Sequence, residues 1–341
     1  MPMRVPMRSE IIVITGASAG VGRATVRAFA KRGASIGLLA RDTEGLQAAA
    51  QEVRDAGGRA LAVPTDVADA DAVDRAAERI EQELGPIDIW INVAMATIYA
   101  PLHRITPAEY RRATEVTYLG NVYGTMAALK RMRARNRGTI VQVGSALAYR
   151  SIPLQAPYCG AKFAIRGFTD SLRSELLHDG VDIHLTMVQM PALNTPQFDW
   201  GLNKLPNRPQ PVPPIFQPEV AAEAIVFAAY ARRREVWVGR STIKAILGNK
   251  LAPGLLDRYL AGAGYSGQQS GEPADPTAPN NLFTPVPGDH GAHGRFDSRA
   301  EPRSAALWAS MHKHSLLAGA GIIGLAFLSL AFTARRAARG P

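Results

Sequence analysis

The sequence predicts a doubly wound α/β domain, a parallel sheet of about seven strands covered by helices on both faces. Three observations carry this. Over residues 9–240, short β-branched runs alternate with longer helical patterns. The short runs are almost continuously apolar, as strands buried on both faces are. The stretches between them place apolar residues three and four apart, the period of a helix with one buried face. Strands are expected at 11–15, 35–40, 60–64, 87–92, 139–143, 181–188 and 235–238. Residues 21–32 and 72–84 read as helices, and Asp42 or Thr43 stands where a helix running through Val53 needs its N-cap. Alternation of this kind builds parallel sheets through crossover connections.

After residue 240 the pattern changes. Residues 241–261 read as one or two short helices interrupted at Pro253-Gly254. Of the 51 positions in 262–312, 13 are Gly or Pro and only eight are Val, Ile, Leu, Met, Phe, Trp, Tyr or Cys. A segment so poor in apolar residues is expected to be a disordered linker, with His290 and His293 solvated rather than holding a metal. Residues 315–334 are 20 consecutive positions without a charge, flanked by Lys313 on one side and Arg335, Arg336 and Arg339 on the other. A helix of that length spans about 30 Å, the thickness of a bilayer core. The expected organisation is therefore a catalytic domain over 1–261, a linker over 262–312 and a transmembrane anchor over 313–341. The first ten residues lack the apolar run of a signal peptide, which puts the catalytic domain in the cytoplasm. A purely cytoplasmic chain is the alternative, with 315–334 as a buried helix. Fractionating the full chain beside one ending at residue 261 tests the anchor, which fails if both stay in the soluble fraction.

The single cysteine excludes a disulfide framework and a thiolate metal cluster. A formal charge of +10 proposes an acidic partner: nucleic acid, an anionic membrane face or a phosphate-bearing cofactor. After residue 261 there are seven Lys or Arg against five Asp or Glu, so most of the basic excess belongs to residues 1–261. Arg131, Arg133, Arg135 and Arg137 cluster near a helix C-terminus, where cations suit the dipole or an anionic lipid surface. No aromatic interleaving supports nucleic-acid binding.

The first strand runs straight into Thr15-Gly16-Ala17-Ser18-Ala19-Gly20-Val21-Gly22 and then a helix. A strand, a glycine turn and a helix N-terminus let backbone N–H groups approach a pyrophosphate. Gly16 suits the tight turn, Gly20 the close approach of phosphates and Gly22 the packing of helix on strand. The second strand ends in Ala40-Arg41-Asp42. With no acid at its tip to bind a ribose 2′-OH, and a guanidinium following, the site favours NADP over NAD. Tyr158 and Lys162 lie four apart in the helix expected over 157–177, so they share a face. A nearby ammonium favours the phenolate and moves the tyrosine toward acid/base use. Ser145, at the end of the fifth strand, is placed to hold a substrate oxygen.

With these residues in this order, the chain resembles the short-chain dehydrogenase/reductase family over about residues 9–240. The resemblance rests on TGASAGVG, LLARD, Asp66-Val67, Asn92-Val93-Ala94, Ser145 and Tyr158-Cys159-Gly160-Ala161-Lys162. It implies a Rossmann-type fold, Tyr158 as catalytic acid/base, Lys162 lowering its pKa and holding the nicotinamide ribose, and Ser145 positioning the reacting oxygen. It further implies Asp66 and Val67 at the adenine, Asn92 and Ala94 beside the cofactor, and Pro191 and Thr195 in the segment that meets the carboxamide. Gly16, Ser18, Gly20, Val21, Gly22 and Arg41 complete the expected cofactor contacts. Two departures from the family's pattern stand out: Asn92-Val93-Ala94-Met95 loses one asparagine amide and a flexible glycine, and Thr117, expected to hold a water through its hydroxyl, stands where a second catalytic asparagine anchors a relay water. Asn121 follows four residues later and does not substitute for it.

The expected function is an NADP-dependent oxidoreductase interconverting a carbonyl and an alcohol on a hydrophobic substrate selected by residues 196–217, including Phe198, Trp200, Leu202, Leu205 and Phe216. The alternative is a membrane-anchored dinucleotide-binding or scaffold protein with little or no turnover. By resemblance, a homodimer or homotetramer pairs through helices over 106–135 and 157–178.

Overall fold

A computed structural model describes residues 9–313. Seven parallel strands form one sheet: β1 (Ile11–Thr15), β2 (Ser35–Ala40), β3 (Ala60–Pro64), β4 (Ile89–Asn92), β5 (Gly138–Ser145), β6 (Ile183–Met190) and β7 (Glu235–Trp237), in the order β7-β6-β5-β4-β1-β2-β3. The chain starts in the middle, winds outward to β3, then returns past β1 to build the other half. This leaves a crevice at the C-terminal ends of β1 and β4, where the winding reverses.

Helices cover both faces. On one, α1 (Gly20–Ala30), α2 (Thr43–Asp55) and α7 (Pro218–Tyr230) bury Phe29, Leu46 and Ile225 in one apolar layer against the sheet. On the other, α3 (Ala70–Glu83), α5 (Gly120–Ala134) and α6 (Ala156–His178) bury Ile80, Ala128 and Leu176 around Trp90. Helix starts follow local chemistry. Asp42 caps α2 by accepting Gly45 N–H, Asp69 caps α3 by accepting Ala72 N–H, and Thr106 and Glu109 form a reciprocal capping box on α4 (Pro107–Thr114). Between α4 and α5 the helix widens into one π turn, Glu115–Leu119.

The arginine cluster at the end of α5 and just beyond it is paired with carboxylates. Arg131 pairs with Asp74, Arg133 with Asp179, Arg135 with Glu81 and Arg137 with Asp88.

The segment expected to be a disordered linker is folded. After α8 (Gly239–Leu251) and α9 (Pro253–Ser266), Gln269–Pro273 pairs antiparallel with Asn207–Pro209. Ala300–Glu301 pairs with Ile215–Phe216, and Ser304 caps α10 (Ala305–Met311). Composition misleads here because the segment builds no core of its own. It docks a few anchors, Leu282, Ala292, Phe296 and Leu307, into cores that the domain already has, and it spends backbone carbonyls on the domain's arginines. Among the described residues no helix is long and apolar enough to cross a membrane. The run expected to do so, 315–334, lies outside them.

Candidate active site

The C-terminal ends of the strands open into a cleft of about 440 Å³. Its floor is the glycine turn. The first three N–H groups of α1 have no intrahelical partner, since Arg23 N–H is the first to reach back, to the carbonyl of Ala19. Gly20 holds φ +57°, a conformation that favours glycine, and faces Thr195. A Cβ on Gly22 would stand 2.0 Å from the Gly16 carbonyl oxygen, so no side chain fits there. Gly16, Ser18, Gly20, Val21 and Gly22 all line the cleft, as do Asp66, Val67, Ala94, Pro191 and Thr195.

Arg41 also lines the cleft, but its guanidinium is engaged. It donates to the carbonyls of Asn281, Leu282 (3.3 Å) and Phe283 (3.0 Å). Burial lowers its pKa; Asp66 works against this and Arg112 adds to it. Arg112, from α4, donates to the same Leu282 carbonyl at 3.1 Å and pairs with Asp66. Asp42 spends its carboxylate on the start of α2.

Ser145, Tyr158 and Lys162 meet in the cleft beside this floor. Ser145 Oγ accepts Leu147 N–H at 3.1 Å. Burial pushes the Tyr158 phenol above its ordinary value, with the Ser145 hydrogen bond acting the other way. Lys162 is buried, donates to the Val143 carbonyl at 2.7 Å, and sits with Nζ 5.4 Å from the centre of the Tyr158 ring. Burial holds its ammonium down at about 8. Desolvation thus raises the phenol and lowers the ammonium beside it. Cys159 points away, its Sγ 3.8 Å from the Ile152 carbonyl, and burial raises its thiol.

Three expectations need correcting. Asn92 does not line the cleft: its side chain is buried, accepting Trp90 Nε1–H at 2.8 Å and donating to Thr125 and Gln142. It fastens β4 to β5 and α5. Thr117 lies on the π turn, where its hydroxyl donates to the Ala96 carbonyl (2.9 Å) and accepts Ala96 N–H (3.0 Å). One lone pair remains, so it cannot donate to a relay water. Leu202, Leu205 and Phe216 pack away from the cleft, whereas Phe198 and Trp200 line it.

Several contributors escaped the sequence reading. Thr15 Oγ1 accepts the N–H groups of Val93 and Ala94 and fixes the loop after β4. Gln155 and Gln268 hydrogen-bond across the far wall at 2.7 Å. Asn281, Pro285 and Val286 form an outer wall. Only Leu282 and Phe283, side by side in an otherwise polar stretch, hinted that this segment docks.

A family profile described as short chain dehydrogenase matches residues 10–199. The chain belongs to the short-chain dehydrogenase family. It is 30% identical over 321 residues to the uncharacterized oxidoreductase YxnA of Bacillus subtilis (strain 168), covering 94% of this chain and 89% of that one. This short-chain dehydrogenase is also 33% identical to the cis-4-hydroxycyclohexanecarboxylate dehydrogenase of Sinomonas cyclohexanicum, over 64% of this chain and 89% of that one. Among solved structures, a metagenomic short-chain oxidoreductase in complex with NADP matches with a TM-score of 0.56 and 26% identity, over 67% of this chain and 96% of that one. The short-chain dehydrogenase described here is therefore an oxidoreductase built for a nicotinamide dinucleotide.

Proposed function

We propose that this enzyme interconverts a carbonyl and an alcohol with NADP, and that it acts on a hydrophobic substrate. The observation that carries the reading is the convergence of Ser145, Tyr158 and Lys162 on the cleft that also holds the glycine turn. The residues fit a dinucleotide: where Gly22 meets the Gly16 carbonyl no side chain fits, and a phosphate can approach the Val21 and Gly22 amides at the start of α1, while Gly20 N–H is donated to the Gly291 carbonyl. Gly16, Ser18, Gly20, Val21 and Gly22 would hold the pyrophosphate. Asp66, Val67 and Ala94 would flank the adenosine half, and Lys162, Pro191 and Thr195 the nicotinamide half.

When bound, the dinucleotide supplies hydride to the carbonyl carbon. Tyr158, which burial keeps protonated at neutral pH, gives its proton to the carbonyl oxygen. Ser145, its acceptor side fixed by Leu147 N–H, turns its own proton toward that oxygen. The Lys162 ammonium, anchored on Val143, adds positive charge behind the phenol as negative charge develops. Thr117, its proton committed to Ala96, serves as a clamp on the loop after β4 and not as a proton carrier. Ile152, Phe198, Trp200, Val212 and Leu260 give the substrate end apolar walls. Pairing of chains through α5 and α6 belongs to the same reading, supported by the exposed Met126 and Phe163.

Preference for NADP is supported by Arg41 at the end of β2, where Ala40 replaces an acid. A guanidinium–phosphate hydrogen bond contributes about 1.5–3 kcal/mol. Arg41→Ala is therefore expected to weaken NADPH binding roughly 10- to 100-fold and NADH binding by less than about threefold. Fluorescence titration with both cofactors checks this; equal losses would remove the assignment.

A further inference from the structure

Residues 281–297 cross the open side of the cleft and are tied to it along its whole length. At the β2 end, Arg41 and Arg112 both donate to the Leu282 carbonyl, and the Leu282 side chain is fully buried. In the middle, Gly20 N–H, the first amide of α1, donates to the Gly291 carbonyl at 2.9 Å. Beside it, Arg23 is buried and charged, and it bridges Glu52 (2.8 Å) and Asp289 (3.0 Å). At the far end, Asn194, the neighbour of Thr195, donates to Asp297 at 2.8 Å and accepts Phe296 N–H at 3.0 Å. His293 is held between Asp297 (2.6 Å) and Glu219 (3.0 Å).

These ties differ from those of the sheet. Between Leu282 and Ala292 no side chain of the segment is buried, and Phe283, Pro285, Pro287 and Asp289 are exposed. The stretch 283–291, with no buried side chain and peripheral hydrogen bonds, opens at far less free energy than the global fold, while Leu282, Ala292 and Phe296 anchor it on either side. Yet Asn281, Pro285 and Val286 wall the same cleft as the glycine turn. A dinucleotide lying on that turn would have this segment over it.

We propose that residues 281–297 are a strap that lifts to exchange the dinucleotide, so that its latches at Asp289 and Asp297 set how fast cofactor enters and leaves. This rests on the NADP reading above. Asp289 and Asp297 do not line the cleft, so loosening them changes the path and not the bound contacts, and both rate constants move together.

The test uses the full chain and NADPH. Asp289→Ala removes the middle latch and Asp297→Ala the far one; both carboxylates are substantially exposed, so neither holds the fold. Losing a hydrogen bond to a charged partner is expected to raise both the association and the release rate of NADPH about tenfold in stopped-flow fluorescence, with Kd changing less than about threefold. Amide hydrogen exchange across 281–297 should quicken in step. Release within twofold of wild type in both variants overturns the strap, as does faster release without faster exchange of the segment. If the wild-type chain binds neither NADPH nor NADH, the cofactor reading itself falls and the strap's role with it. If the wild type binds NADPH and both variants release it as the wild type does, the strap alone falls.

Discussion

Tyr158→Phe is expected to lower turnover about 10²- to 10⁴-fold while leaving NADPH affinity within about twofold. The substitution removes one hydroxyl and keeps the ring, so the wall of the cleft stays in place. What is lost is the proton donor of the constellation: burial keeps the phenol protonated at neutral pH, while Ser145 and the Lys162 ammonium, anchored on Val143, are left to stabilise charge. Steady-state rates on a panel of hydrophobic ketones, beside an NADPH titration, check it. Turnover at the wild-type rate on any accepted ketone would sink the mechanism. Binding without turnover in the wild-type chain over the whole panel would favour a dinucleotide-binding scaffold instead.

The second large effect is on pH. Burial holds Lys162 at about 8, below the ordinary lysine value of about 10.4. The ammonium is the form that stabilises developing negative charge, so kcat/KM for carbonyl reduction is expected to fall tenfold per pH unit above about 8. A profile flat from pH 7 to about 9.5 would remove Lys162 from the mechanism. Linkage gives an independent readout with the opposite slope. Between about 8 and about 10.4 the folded chain binds fewer protons at this site than the unfolded chain, so the contribution of Lys162 to stability rises with pH across that window. Lys162→Met should abolish that rise in a denaturant series.

Much of this architecture is legible in the residues, because strand and helix signals here are local. The strands at 11–15, 35–40 and 60–64 stand where the β-branched runs place them. The sixth strand starts at Ile183 and not at 181, because Val181 N–H is spent on the Leu176 carbonyl, closing the end of α6. The glycine turn and the Ser145, Tyr158 and Lys162 set are also legible, each lying at a strand end or on one helix face. Asn92 was misread because its partners, Thr125 and Gln142, lie 33 and 50 residues away. The stretch after residue 262 was misread for a related reason. Composition asks whether a segment can bury surface against itself, and this one buries Leu282 and Phe296 in clusters built by residues far earlier in the chain, the Phe296 ring against Phe198.

The hydrogen bond from Gly20 to Gly291 also has a meaning in the order of synthesis. The first crossover emerges from the ribosome and can begin to fold early, yet the amide that opens α1 finds its carbonyl only after some 270 further residues have been added. At about 5–20 residues per second that is on the order of tens of seconds. During that interval the nascent nucleotide cleft stands unroofed.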